Sequence, residues 1–512
     1  MNEKKMKEIK EIDILIRARY PLIYVVSSEE DRVIQSINDI TRRSIENSPT
    51  IYVWSLVCGI RELKDITTVN TATMNPIEAL HFINNIKKRG IFILLDFHAF
   101  MIDSNPEIVR YLRELNKSLK LVQKNVVIIA PELSIPSDLE KDITVIDFPL
   151  PDKDEINDIC NTVAESVKDD ARVETNGKRE HVIKALMGLN TNEIENVLYK
   201  SLIQNKNFSV NTIIKEKEQI IRKTGILEYT HTTNTLEDVG GNDILMKWII
   251  QRKNAFTDKA RDFGLPYPKG MLLLGVQGCG KSLICKIVAN VWNFPLLRMD
   301  MSAIFEGIVG SSERNMSAAI QLAKACSPCV LWIDEIEKAL GGSGSSNFSD
   351  GGTTSRVIGS FLTFLQENQA PIFVVATAND ITNLPPELLR KGRLDEIFFV
   401  DLPNEDERFD IFRIHLTKRK RDFEQFDLPS LIDNSVQYSG AEIEASIVSG
   451  LFDAYDDGVE LDTDYIMANL KRSIPLSKTM AEPISKMRLW ARDRARPTTS
   501  NKEIPKSMRL DL

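Results

Sequence analysis

No stretch of these 512 residues is both long enough and apolar enough to span a bilayer. The N-terminal segment "MNEKKMKEIKEIDILIRARYP" lacks the apolar core of a secretory signal and carries too many acids for a typical organelle transit peptide. Synthesis in the compartment of action is therefore expected. Nor is positive charge in excess: 65 Lys and Arg against 73 Asp and Glu leave a net charge of -8, with no general attraction to nucleic acid or anionic membranes. Cysteine is sparse. Most of the six (Cys58, Cys160, Cys279, Cys285, Cys326 and Cys329) lie within apolar stretches, as reduced thiols do, and they form no disulfide framework. Cys326 and Cys329 make a lone C-x-x-C without the second ligand pair a zinc site needs. Packing at a helix end and a strand start is the plain reading, a regulatory disulfide the alternative. The motif H-E-x-x-H is missing, which removes a zincin-type metalloprotease. What remains is 43% hydrophobic and 27% charged, the balance of a soluble globular protein of two to four domains.

The chain repeats itself. "VVIIAPELSIPSDLEKDITVIDFPLPDKDE" (from Val126) and "FVVATANDITNLPPELLRKGRLDEIFFVDLPNEDE" (from Phe373) share an apolar run ending in Ala, then Pro-x-acid-Leu, then Asp-x-Pro and acids. Three more parallels follow in the same order: "YPLIYVVSSEEDRVIQSI" with "KGMLLLGVQGCGKSLICKIVA", "GIFILLDFHAFM" with "CVLWIDEIEKAL", and "VIKALMGLNTNEIENVLYKSLI" with "LPSLIDNSVQYSGAEIEASIVSGLF". In each half, near-continuous apolar strands alternate with amphipathic helices and an all-helical piece follows. This pattern predicts a parallel α/β sheet covered on both faces. The expected divisions are a degenerate α/β domain over 1–149, a helical subdomain over 150–225, a linker over 226–235, a second α/β domain over 236–403, a helical lid over 404–478 and a basic, partly mobile tail over 479–512.

The second half carries the chemistry. "GVQGCGKS" places Gly275, Val276, Gln277, Gly278, Cys279, Gly280, Lys281 and Ser282 in the spacing G-x-x-x-x-G-K-S, with a strand before and a helix after. Backbone N–H groups of such a loop wrap phosphates, Lys281 reaches the β- and γ-phosphates, and Ser282 holds Mg²⁺. This is a nucleoside-triphosphate site. In "VLWIDE", Asp334 can ligate Mg²⁺ through water and Glu335 can polarise the attacking water; a solvated turn is the bland alternative. Asn379, closing "IFVVATAN", either orients the same water or only forms a turn. Arg390 and Arg393 in "LLRKGRLDEIF" suit charge stabilisation from a neighbouring subunit.

From about Leu236 to Ile443 the chain resembles an AAA+ ATPase of the group that includes membrane-bound bacterial proteases and katanin-type severing enzymes. The residues that carry the resemblance are "LEDVGG", "GLPYPKGMLLLG", the phosphate loop, "TANDITNLPPELLRKGRLDEIF" and "YSGAEIE". The resemblance implies a P-loop sheet with a small helical lid and ATP with Mg²⁺ as cofactors. It places Asp238 and Gly240 beside the adenine and Gly440 and Ala441 in the lid. Asn379 is then the sensor, and Arg390 and Arg393 are fingers acting in trans within a homo-oligomeric, hexameric ring. With "DEIEK" and "WARDRARP", the whole chain further resembles the hypothetical chloroplast reading frame forty-six group of plastids and cyanobacteria. Two positions depart from the wider family: Ile308 in "FEGIVG" stands where an aromatic usually grips polypeptide, and Glu396 replaces a basic residue. Cys279 stands where Thr is usual, and its oxidation would block nucleotide.

The first half has "VVSSEEDR" where the phosphate loop should be, without Gly or Lys and with Glu29, Glu30 and Asp31 in a row. Asp96 is expected at the acidic strand end, Phe97 at the place of Glu335, and the arginine segment is deleted. A nucleotide-free copy of the same fold is the leading reading, an unrelated α/β domain the other. The functions to weigh are an ATP-driven remodeller of an unknown protein client, an ATP-gated scaffold binding partners through its first half, and a nucleic-acid motor suggested only by the basic tail. The plastid stroma is the expected location, a cyanobacterial cytoplasm the alternative.

Overall fold

A computed structural model describes residues 11–44, 49–65, 68–102, 105–166, 179–223, 225–305, 311–340, 353–390 and 392–500. Ile308 lies outside them. The chain divides into two compact units, 1–213 and 214–512, with the break inside the helix Val210–Lys223.

The first unit holds strands β1 (Leu22–Val26), β2 (Thr50–Ser55), β3 (Gly59–Glu62), β4 (Gly90–Leu95), β5 (Lys124–Ala130) and β6 (Thr144–Asp147), ordered β3-β2-β4-β5-β1-β6. Among the described residues of this unit only the edge pair β2–β3 is antiparallel. The alternation of side chains along each strand divides the core in two. Leu22 and Tyr24 pack on one face, with Trp54 and Phe92, whereas Ile23 and Val25 pack on the other, with Val33 and Ile37. A helical layer follows, with Lys153–Ser166, Arg179–Leu186 and Thr191–Asn205.

The second unit repeats this plan. Its strands are β7 (Leu227–Thr230), β8 (Gly270–Gly275), β9 (Leu296–Met299), β10 (Cys329–Ile333), β11 (Ile372–Ala378), β12 (Glu396–Val400) and β13 (Arg496–Pro497), ordered β13-β12-β8-β11-β10-β9-β7. The central orders β6-β1-β5-β4-β2 and β12-β8-β11-β10-β9 are the same, and each sheet carries an antiparallel strand beyond its β2 or β9 edge. The degenerate first half is therefore an α/β copy of the second, not an unrelated domain. Helices Glu405–Lys418, Leu428–Asn434, Gly440–Asp456 and Thr463–Arg472 form the lid around Phe412, Leu431, Ile443 and Ile466.

Three sequence expectations change. Residues 226–235 are not simply a linker: Leu227–Thr230 pairs with β9, and Leu227 enters the second core. The tail is ordered to Ser500. The helix Ala481–Arg494 sends Arg488 in a two-pronged bond to Asp401, at 2.7 and 2.9 Å, and β13 then extends the sheet beside β12. Residues 476–500 also bridge the lid and the sheet, since Leu476 N–H donates to Glu442 at 2.6 Å and β13 pairs with β12, while Ile244 N–H of the helix Asp243–Arg252 donates to Thr498 O at 3.0 Å.

The third change concerns alignment. Val126 N–H bonds Pro21 O as Val374 N–H bonds Lys269 O, so Ile128 and Ala376 are equivalent. Their partners on the next strand are Leu94 and Ile333. Leu95 then stands at the place of Asp334 and Asp96 at that of Glu335, one residue from the sequence alignment. Backbone shape agrees, because both Asp96 and Glu335 are left-handed, with φ of 52° and 48°. Among the described residues no helix is long and apolar enough to cross a membrane.

Candidate nucleotide site

Strand β8 is buried along its whole length and ends at Gly275, from which the loop Val276–Gly280 leads into the helix Lys281–Trp292. Gly275 lies against β12, where a Cβ would sit 1.9 Å from Val400 O. Gly278 is left-handed, and a Cβ there would press on Ser439 Oγ at 2.9 Å. Those two constraints bring the loop under the lid: Ala441 N–H donates to Gly278 O at 3.0 Å, and Gly440 lies alongside. The lid helix Gly440–Asp456 starts there with a capping box between Ser439 and Glu442.

Lys281 is buried, and its ammonium donates to Gly275 O at 2.7 Å and Val276 O at 2.8 Å. Burial pulls its pKa down to about 8, while the charges of Glu337, Asp334 and Glu335 work the other way. Ser282 follows in the first helical turn. Burial pushes the Cys279 thiol up to about 12, so it is a poor thiolate and a poor target for oxidation. Burial also raises Cys326 and Cys329, which favours the packing reading of the C-x-x-C pair.

The acidic strand end sits beside the loop. Asp334 Oδ1 accepts from the Thr377 hydroxyl at 2.6 Å, and Arg298 approaches Asp334 Oδ2 at 3.9 Å. Both oxygens of Glu335 are engaged: Asn379 Nδ2 donates to one at 2.9 Å, and Lys338 Nζ holds the other at 2.5 Å. Asn379 N–H donates to Glu337, a buried carboxyl whose pKa burial raises and whose second oxygen has no partner among the described residues.

Asp238 receives the Lys418 ammonium at 2.8 Å and Thr235 N–H at 2.8 Å, which hold its carboxyl below the usual range. Gly240 packs on Asp410 of the same lid-root helix. Arg390 is exposed. Arg393 is half-buried, with its Nη1 lacking a partner among the described residues. Their loop is tied to the start of β8, because Lys269 Nζ donates to Gly392 O at 2.7 Å and Asp395 accepts Lys269 N–H at 2.8 Å.

A model of the AAA ATPase family associated with various cellular activities matches residues 271–402. Residues 8–148 and 154–224 match the N-terminal and second domains of SpoVK-like AAA ATPases. Three relatives matched along nearly their full length carry the name uncharacterized AAA domain-containing protein ycf46. That of Guillardia theta is 41% identical over 496 residues, 95% of each chain. That of Pyropia yezoensis is 39% identical over 494, covering 95% of this chain and 98% of its own. That of Trieres chinensis is 38% identical over 508, covering 98% and 99%.

The chain belongs to the AAA ATPase family. The donor set fits the family's ligand. A buried lysine faces the loop carbonyls, and one hydroxyl and one carboxylate suit a Mg²⁺ that takes most of its ligands from phosphate and water. No group of three or more metal-binding side chains exists among the described residues. Sequence reasoning singled out Lys281, Ser282, Asp334, Glu335 and Asn379, which lie just past the C-terminal ends of β8, β10 and β11, with Asp238 and Gly240 against the helix Glu405–Lys418 and Gly440 and Ala441 at the start of the lid helix. It missed Thr377, Lys338, Glu337, Lys269 and Asp395. A polar residue two positions before Asn379, in an otherwise apolar strand, was the available signal for Thr377.

Proposed function

We propose that the second unit hydrolyses ATP with Mg²⁺ and that copies of the chain assemble into a hexameric ring that remodels a protein client. In this reading the loop amides of residues 276–281 and the Lys281 ammonium hold the phosphates. Mg²⁺ on Ser282 and, through water, on Asp334 would neutralise developing charge. Glu335, once released from Lys338, takes the proton of the attacking water, and Asn379 orients that water. Asp238 and Gly240 lie toward the adenine, and Gly440 and Ala441 close over the phosphates with the lid.

The observation that carries the ring is the position of the arginine loop. It is anchored at Gly270, the opposite end of β8 from the phosphate loop after Gly275, about 17 Å away along a strand. That placement argues against Arg390 and Arg393 serving the phosphates of their own chain and supports their use at a neighbour's site. The relatives' plastid-type name and algal sources support the plastid stroma as the location. Specific ATPase activity should rise with protein concentration and fall at least about tenfold in Arg393→Ala. Mixing Arg393→Ala with Lys281→Ala should restore part of it, because each variant supplies what the other lacks. Activity independent of concentration, with no rescue on mixing, would remove the ring.

A scaffold that binds partners through its first unit is the second reading. It is favoured by the nucleotide-free character of that unit, where only three residues separate β1 from the helix Glu30–Ser44.

A further inference from the structure

We propose that Thr377 is a positioning residue that orients Asp334 for the nucleotide-bound divalent cation, an inference that rests on the ATPase reading above. The residue is 1% exposed, and its hydroxyl sits between two neighbours, accepting from Glu335 N–H at 3.0 Å and facing Asp334 Oδ1 at 2.6 Å. A backbone N–H can only donate, so the Thr377 oxygen must accept there, and its single proton is left for the carboxylate. The direction of the relay is thereby set: Glu335 N–H to Thr377 Oγ1, and Thr377 O–H to Asp334 Oδ1. One carboxylate oxygen is pinned. Among the described residues the other, Oδ2, has only the Arg298 guanidinium at 3.9 Å and is the oxygen that can turn toward a metal-bound water.

The backbone alone does not demand this hydroxyl. Strand β10 ends at Ile333, paired with Ala376, and the chain then enters its left-handed turn at Glu335. The first unit makes the same left-handed turn at Asp96 with Ile129 at the equivalent strand position. There the turning N–H is satisfied by the Ile129 carbonyl at 3.0 Å. The turn therefore forms without a side-chain hydroxyl. Leu95 stands where Asp334 stands, so the copy without a carboxylate at that place is also the copy without the threonine. Hydroxyl and carboxylate go together, as expected if the hydroxyl exists for the carboxylate.

The full-length chain carrying Thr377→Val, with Thr377→Ser as its conservative partner, separates this role from a structural one. Three quantities are measured: affinity for a fluorescent ATP analogue in EDTA, the Mg²⁺ concentration that half-saturates the strengthening of that binding, and kcat with KM. Thr377→Val should leave metal-free affinity and the melting temperature near wild type. It should raise the half-saturating Mg²⁺ concentration and lower kcat, each by roughly tenfold, while Thr377→Ser stays within about threefold of wild type. Wild-type Mg²⁺ dependence in Thr377→Val would overturn the proposal. So would a parallel loss of metal-free binding and melting temperature, which marks a residue that only holds the fold. A wild-type chain that binds nucleotide without turnover would remove the hydrolase reading, and the Mg²⁺ dependence of binding would still decide Thr377.

Discussion

Lys281 shows how a single residue sets the pH response of the site. Its ammonium sits among loop carbonyls and is buried enough to bring its pKa to about 8. A phosphate arriving beside it favours the charged form and raises that value again. Below the free value the lysine is already protonated and binding moves no proton. Above it, binding must recruit one. ATP binding near pH 7 should therefore take up almost no proton through this group, whereas uptake should approach about one per site near pH 9, with affinity falling as pH rises. Calorimetry in buffers of different ionisation enthalpy reads this directly. Equal uptake at both pH values would show that the lysine is not depressed in the free protein. Lys281→Arg, always charged, should show no such rise.

The elements explain what could be read from the sequence and what could not. The phosphate loop was legible because its glycines, lysine and serine are fixed by local geometry at fixed spacing. The alternation of strands and helices in both halves was legible for a similar reason, since burial on two faces demands continuous apolar runs. The pairing of Asp96 with Glu335 was not, because neighbouring apolar residues are interchangeable in sequence and only the register with β5 and β11 separates them. The strand β13 was hidden as well: two residues become a strand only because β12 offers them a free edge.

Glu29 stands in a row with Glu30 and Asp31, yet it is turned inward. One oxygen accepts both the N–H and the hydroxyl of Thr191 at 2.7 Å, and Arg32 pairs with the other while reaching Glu155 at 3.2 Å. Thr191 opens a capped helix at the place where Gly440 opens the lid helix of the second unit. A built-in carboxylate thus fastens the helical layer of the first unit to its loop, with no nucleotide needed. Glu29→Ala should destabilise that unit by about 2 kcal/mol, through the lost charged hydrogen bonds, and speed amide exchange in the first turns of Thr191–Asn205. Exchange and urea unfolding that match wild type would show that the contact carries no weight.

At the scale of the whole molecule, the two units make opposite use of one architecture, and the count of bound nucleotides tests this. The same five-strand order recurs in both sheets, so the plan alone would allow two sites per chain. Three features argue against the first. Its loop offers three residues between strand and helix, where the second unit offers Val276 to Gly280 after a glycine that lies against β12. Glu29 supplies its own negative charge at the start of the lid-like helix, where a phosphate would otherwise be held. Leu95 replaces the metal-facing carboxylate. Native mass spectrometry or calorimetry with Mg²⁺ and a non-hydrolysable ATP analogue should therefore find one nucleotide per chain and, in Lys281→Ala, close to none at the same concentration. Two per chain, or one retained in Lys281→Ala, would mean that the first unit binds nucleotide by means other than a phosphate loop. The carboxylate of Glu29 would then have to swing aside from Thr191 on binding, and Glu29→Ala would raise the affinity of that site instead of leaving nucleotide binding untouched.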